Sequence, residues 1–400
     1  MSNIVLITSN YLDKPFANGI CAINIVNELL QMGHEVDVIC YNNDNDKDST
    51  TNNRIHTVDK TRITSRYVKL VFLKKVIRAV KFTLGLDVLS LDKRLVNNYI
   101  KKLYDLNRYK KIDLLIAMYF PLESIEALYE FKLRNRHIKG VVYELDSVAD
   151  GVAQSHFQKQ INRRYERRLL KIYELLDSII VMKSHKNYWL KVFGKLFDSK
   201  LFIADIPVLN KKNSSVTSNN TPISMIYSGI LANKYRSPLY LLSVLYELEK
   251  RLDFKFIFFS KGDCEYEIEK ATQTIKGVAQ KGFVAIEELE QEILKTDFLV
   301  SIGNSVSRSV PSKIITYISY GKPIIHFSSQ IDDVCNEYFS KYPLALVIDQ
   351  SSSIETSSTR ILNFINKTRG KTIDFITIQK LFAMNTPKYS ALLICELIKG

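Results

Sequence analysis

The chain has 400 residues, 46% of them apolar and 24% charged. That length exceeds one compact core and suits two domains of roughly 200 residues, with the composition of a globular protein rather than a disordered or collagen-like one. The five cysteines (Cys21, Cys40, Cys264, Cys335, Cys395) show no paired spacing, which argues against a disulfide framework or zinc site and for a reducing cytoplasm, and the net charge is +14.

The opening MSNIVLITSN lacks the basic start and small-residue cleavage site of a signal peptide, and predicts a buried first strand at Asn3–Thr8. The loop SNYLDKPFANG follows. Ile20, Ile23, Val26, Leu29 and Leu30 then keep helical spacing until Gly33, and EVDVIC is the next strand. Strand, helix and strand in succession predict a right-handed crossover onto a parallel sheet.

From Lys60 to Ile112 about 15 Lys/Arg stand against Asp87, Asp92 and Asp105, most of the chain's excess charge. Three partners compete for this region. Nucleic acid would want a reader motif or stacking aromatics beside the charge, and none is found. A plain solvated face is the second. Anionic lipid is favoured, because Val68, Leu70, Val71, Phe72, Leu73, Val76, Ile77, Val80 and Phe82 interleave with Lys69, Lys74, Lys75, Arg78 and Lys81 as in an interfacial helix. The lysines break this stretch too often for a membrane span.

Further buried strands are predicted at Ile112–Phe120, Lys139–Leu145 and Asp177–Met182. The polar KKNSSVTSNNTP (Lys211–Pro222) reads as a linker. A second series follows. ISMIYSG is a strand; SPLYLLSVLYELEKRL is a helix entered through Ser237 and Pro238; FKFIFFSKG is a strand. CEYEIEKATQTIK is a helix, KGFVA a short strand, IEELEQEILKTD a helix and FLVSIG a strand. In NSVSRSVPSKIITYISYGKPIIHF, Pro311 suits a first helical turn, Gly321 stops the helix and Pro323 prevents its continuation. Ser312 and Lys313 then offer free N–H groups, a helix dipole and a full charge, an anion site or simply a well-capped helix. The expected architecture is α/β: two doubly wound Rossmann-like domains facing across a cleft, with ligand at the carboxyl ends of the strands. The boundaries are 1–208, a linker at 209–222, and 223–375, with a C-terminal helix at about 376–400 crossing back to the first domain.

Taken in order, GICAINIVNELLQMGHEVDVI, IYSGILANKYRSPLYLLSVLYEL, KGFVAIEELEQEILKTDFLVS, PSKIITYISYGKPII and the terminal MNTPKYSALLICELI resemble the GT-B glycosyltransferases. The likeness is to the broad family-4-like group that builds bacterial surface polysaccharides, and it covers nearly the whole chain. It implies that the first domain faces the acceptor and the second binds a nucleotide-sugar donor. Gly282, Phe283 and Val284 match the loop whose backbone reads the base. Lys234 matches a lysine on the donor diphosphate. Asn304, Ser312 and Lys313 fall where the distal phosphate and sugar should lie. Asn18 and Gly19 match the glycine loop of the first domain. Lys234 can also be an exposed loop lysine, and Gly19 a helix-entry residue. Two departures stand out. Where many relatives carry paired glutamates this chain has Arg308 and Thr316, and Ile230 replaces an arginine whose charge Arg236 or Arg308 can supply.

Such enzymes work without a metal or other cofactor, stabilising the departing nucleoside diphosphate with cations and helix termini. Retention of configuration lets the leaving phosphate take the acceptor proton and is favoured; inversion needs a base, for which Asp146 is the candidate and Glu144 the reserve, although Asp146 can equally cap a helix. His185 and His326 are expected to be structural. The expectation is a cytoplasmic glycosyltransferase, peripheral on the inner face of the cell membrane. It moves a sugar to a growing, lipid-linked surface glycan such as a capsule or exopolysaccharide. The rivals are a non-catalytic GT-B subunit that scaffolds a partner enzyme, and a sugar-nucleotide epimerase.

Overall fold

The computed structural model describes residues 1–9, 11, 17–41, 54–59, 76, 80, 91–119, 121–145, 158–212, 222–305, 310–330 and 332–399. The chain forms two compact units, Met1–Val208 with Met384–Gly400, and Leu209–Ala383.

The first unit is a seven-stranded parallel sheet of order β3-β2-β1-β4-β5-β6-β7. Its strands are β1 (Asn3–Ile7), β2 (Glu35–Tyr41), β3 (Ile55–Val58), β4 (Leu114–Tyr119), β5 (Lys139–Glu144), β6 (Ser178–Val181) and β7 (Leu201–Ile203). Its helices are α1 (Ala17–Gln31), α2 (Lys93–Tyr109), α3 (Leu122–Arg134), α4 (Gln158–Leu175), α5 (Lys186–Phe193) and, at the chain's end, α13 (Pro387–Lys399). β1 and β4 are buried along their whole length, as continuous apolar runs of a two-sided parallel sheet must be. Helix α1 stops at Gly33, whose φ of +84° suits glycine. Helix α13 is tied to the sheet: the Tyr143 hydroxyl meets Asp205 O at 3.0 Å and Ser390 Oγ at 2.8 Å, and Lys139 Nζ donates to Leu397 O and Ile398 O at the helix's carboxyl end.

The second unit repeats the plan with six parallel strands, β10-β9-β8-β11-β12-β13. They are β8 (Ile223–Leu231), β9 (Phe254–Gly262), β10 (Val278–Gln280), β11 (Phe298–Ile302), β12 (Ile324–Ser328) and β13 (Ala345–Asp349). The helices are α6 (Leu239–Glu249), α7 (Glu265–Thr274), α8 (Ile286–Lys295), α9 (Ser312–Ser319), α10 (Cys335–Lys341), α11 (Ile354–Thr368) and α12 (Phe375–Leu381). Gly321 ends α9 at φ +69°, and a Cβ there would fall 2.3 Å from Ile373 O. Both sheets are doubly wound, and in each the strand order reverses once, between β1 and β4 and between β8 and β11.

One predicted strand moves. The ladder with β9 takes Val278–Gln280, and KGFVA follows it as a loop. Gly282 has φ +67° and Phe283 is 59% exposed, so this apolar run is not sheet core. Most of the polar linker, residues 213–221, lies outside the described residues.

Candidate functional site

In an open α/β sheet, loops part at the strand carboxyl ends where the order reverses, and ligands bind there. In the second unit that point lies between β8 and β11, and the sequence brings two cations to it. β8 runs into a tight turn, with Ala232 N donating to Arg236 O at 3.1 Å and Arg236 N to Ala232 O at 2.7 Å. The turn folds the Arg236 side chain back over the strand end. Its Nη1 donates to Ile230 O at 3.1 Å and its Nη2 to Asn304 Oδ1, beyond β11, at 2.5 Å. One guanidinium thus spans the switch point.

Lys313 enters from the first turn of α9. Its Nζ donates to Ser228 O at 3.1 Å and lies 4.1 Å from the centre of the Tyr227 ring. Gly229 makes the room: at φ +132° it carries no Cβ, and one placed there would sit 3.1 Å from the ammonium. One turn further along α9, the Tyr317 hydroxyl accepts from Ser228 N at 2.9 Å and pairs with Ser228 Oγ at 2.8 Å. Residues four apart share a helix face, so Lys313 and Tyr317 together pin α9 to β8. Burial pushes the Tyr317 phenol up to about 12.

Burial, and then the neighbouring Arg236 guanidinium, hold the Lys313 ammonium well below its ordinary range. Lys313 keeps some solvent contact along its length. Among the described residues its partners, and those of Arg236, are carbonyls, an amide oxygen and a tyrosine; none is a carboxylate. Among the described residues, then, neither of these two basic side chains has a carboxylate counter-ion, and both lie beside the N-terminus of α9.

Lys234 sits at the tip of the same turn with its side chain exposed, while its carbonyl accepts from Ser305 Oγ at 3.2 Å. Ser312 opens α9. The Thr316 hydroxyl donates back to Ser312 O at 3.4 Å within the helix. Gly282 and Phe283 lie just past β10, and Val284 packs on Ile226, Ile257 and Phe259. In the first unit, Gly19 is buried in the first turn of α1, and Asn18 Nδ2 donates to Tyr119 O at 3.2 Å, tying that turn to the end of β4. Glu144 is buried at the end of β5. Asp146, Arg308, Lys69, Lys74, Lys75, Arg78 and Lys81 lie outside the described residues.

Sequence alone does not reveal Tyr227 and Ser228, which contact Lys313, Tyr317, which bonds Ser228, or Asp333, which meets His326 and accepts from Cys335 N. His326 is buried in β12, its Nδ1 2.6 Å from Ser301 Oγ and its Nε2 3.1 Å from Asp333 Oδ2. Asp333 and Cys335 follow β12 in the polar QIDDVCNEYF, and spacing alone does not fold that segment back against β11.

No family profile matches the sequence, and no curated protein is similar to it. Solved structures match over the whole chain. Sucrose-phosphate synthase from Thermosynechococcus elongatus is 13% identical with a TM-score of 0.66, and the match covers 100% of this chain and 98% of that one. The chain has the GT-B fold. The lipopolysaccharide outer core galactosyltransferase WaaB shares it at 12% identity and a TM-score of 0.59, over 98% of this chain and 99% of that one. UDP-GlcNAc 2-epimerase from Methanocaldococcus jannaschii shares GT-B too, at 11% identity and a TM-score of 0.59, over 100% of both chains.

Proposed function

We propose that this GT-B protein is a glycosyltransferase that moves a sugar from a nucleoside diphosphate donor to a growing, lipid-linked glycan of the bacterial surface. The observation that carries the reading is the pair Lys313 and Arg236 at the β8–β11 switch point, without a carboxylate against either among the described residues. Each of the two can hold a diphosphate oxygen through a charge-assisted bond. Lys234 adds charge from the turn, and Asn304, Ser312 and the α9 N-terminus face the distal phosphate and sugar. The Gly282–Phe283–Val284 loop presents backbone groups to the base. Thr316 offers the ribose one hydroxyl in place of a carboxylate. In the first domain, Asn18 and Gly19 of the glycine loop are further donor-binding residues, the glycine letting a helix N-terminus approach the diphosphate or the sugar.

The chemistry follows from where charge grows. The acceptor oxygen attacks the anomeric carbon, the bond from that carbon to the distal phosphate oxygen breaks, and its electron pair stays on the diphosphate. Lys313 and Arg236 stabilise that charge in place of a metal. In a retaining reaction the departing phosphate oxygen takes the acceptor proton. In an inverting one, Asp146 takes it.

No helix among the described residues is long and apolar enough to cross a membrane. The reading places the enzyme in the cytoplasm, held at the inner face of the membrane by Lys69, Lys74, Lys75, Arg78 and Lys81 on anionic lipid. A second reading has support from the fold shared with the M. jannaschii epimerase: conversion of a sugar nucleotide without an acceptor. One assay separates them. The protein is incubated with a panel of sugar nucleotides, with and without lipid-linked acceptors. Acceptor-dependent release of nucleoside diphosphate supports transfer; a changed sugar nucleotide without acceptor supports epimerisation. Binding without turnover under every condition leaves a non-catalytic subunit.

A further inference from the structure

Asn304, on which Arg236 leans, is tied to the cation turn through the next residue, Ser305 N donating to Tyr235 O at 2.9 Å and Ser305 Oγ to Lys234 O at 3.2 Å; what holds it from the other side? Asn304 lies just past β11 in a loop segment, where nothing in the local sequence fixes a side chain. The supports come from β12 and the segment after it. Ser301 and His326 are register partners across β11 and β12, so their side chains share a face and meet at 2.6 Å. The other ring nitrogen meets Asp333, and both side chains are only 1% exposed. Asp333 Oδ1 accepts from Cys335 N at 2.9 Å. Its other oxygen, Oδ2, presses on Gly303, the residue before Asn304; a Cβ on Gly303 would fall 1.8 Å from it. Gly303 N donates to Phe327 O at 2.9 Å, and Gln330 Nε2 to Asn304 O at 3.3 Å. Asp333 N donates to Gln330 O at 3.2 Å, joining the two supports.

Burying a carboxylate is costly, and polar groups kept in such places commonly orient a functional neighbour. Here the carboxylate is fully engaged, yet it abuts the one residue that leads into Asn304. We propose that the buried Ser301–His326–Asp333 chain, with Gln330, is the positioning device that sets Asn304 and through it the Arg236 guanidinium for a bound diphosphate. This rests on the anion-site reading above. The fully buried ring is held on both edges and packs 4.5 Å from Phe339, which leaves it no rotation. Two of these residues, His326 and Asp333, together with Cys335 place ligand-type atoms within 4.8 Å of one another. A metal there is disfavoured, because Lys313 and Arg236 lie close enough to Cys335 to act on its thiol and would repel a dication.

The test is a double-mutant cycle read by calorimetry, with pyrophosphate and a panel of nucleoside diphosphates as probes. Asp333→Asn and, as milder variants, His326→Gln and Gln330→Ala are each made in the wild type and in Arg236→Gln. Each should weaken pyrophosphate binding about tenfold in the wild type and have little effect in Arg236→Gln, although its shift in Tm is the same in both backgrounds. A purely structural role gives equal affinity changes in both backgrounds, or none in either, and overturns the proposal. So does wild-type protein that binds no pyrophosphate, or one equivalent of zinc that survives purification and is lost in Asp333→Asn. Pyrophosphate binding without binding of any nucleoside diphosphate overturns the donor reading while leaving the positioning result to stand.

Discussion

Lys313→Met separates a functional cation from a structural one. In the unliganded protein the substitution removes one charge-assisted hydrogen bond, to Ser228 O, worth about 1.5–3 kcal/mol, and a cation–π contact with Tyr227 worth about 0.5–2 kcal/mol. Against this it relieves the desolvation of an ammonium, several kcal/mol, and its repulsion by Arg236. Met also keeps apolar volume on the Tyr227 ring, with a sulfur–aromatic contact of about 0.3–1.5 kcal/mol. The balance is near zero or favourable, so the midpoint of urea unfolding should stay or rise. Binding behaves differently, because a diphosphate loses a charge-assisted partner worth about 1.5–3 kcal/mol, or about 10- to 150-fold in Kd. Calorimetry with the tightest nucleoside diphosphate, beside urea melts of both proteins, gives the two numbers. Affinity within twofold of wild type, or a stability loss above about 2 kcal/mol, would refute the argument, since the ammonium would then serve the fold rather than a ligand.

Diphosphate binding should be proton-linked. Lys313 is held below its ordinary pKa and a bound anion raises it again, so protons are taken up on binding and affinity falls as pH rises through the unliganded pKa. Titration above neutral pH in two buffers of different ionisation heat measures the uptake, which should vanish in Lys313→Met. Lys322 is buried, donates to Leu294 O and Thr296 O, and is brought down to about 8 by burial. The folded state therefore binds fewer protons than the unfolded one between about pH 8 and 10.5. Its destabilising effect is full below that window and fades across it, giving about 1.5 kcal/mol of added stability from pH 8 to 9.5 that Lys322→Met should lack in urea melts. Gly321→Ala should cost about 1–3 kcal/mol, because the residue has φ +69° and its new Cβ would meet Ile373 O; an unchanged melting curve would show that the α9–α12 connection yields freely.

Much of the architecture was legible because parallel strands buried on both faces leave continuous apolar runs. β1, β4, β8, β11 and β12 stand where VLI, LLIAMY, MIYS, FLVS and PIIHF stood out. The strands that escaped notice are edge or near-edge elements. β3 and β7 are short, and these and the edge strand β13 are mostly half-buried, so IHTV, LFI and ALVID carry little of that signal. KGFVA misled for the opposite reason, since its apolar residues serve an exposed loop governed by Gly282. At the site, Pro311, Lys313 and Gly321 were visible through helix-end chemistry, which is local. The Tyr317–Ser228 bond spans 89 residues, and Asp333 reaches Gly303 from a polar segment beyond β12. Such contacts leave no periodic trace, because they depend on which strand ends the topology brings together.

The central claim is that Lys313 and Arg236 form the seat of a donor diphosphate. A crystal structure with the tightest nucleoside diphosphate bound tests it most directly. The account predicts phosphate oxygens within hydrogen-bond distance of Lys313 Nζ and the Arg236 guanidinium, the α9 N-terminus pointing at the distal phosphate, and the base against the Gly282–Val284 loop. A nucleotide bound elsewhere, with Lys313 still on Ser228 O and Arg236 still on Asn304, would contradict it.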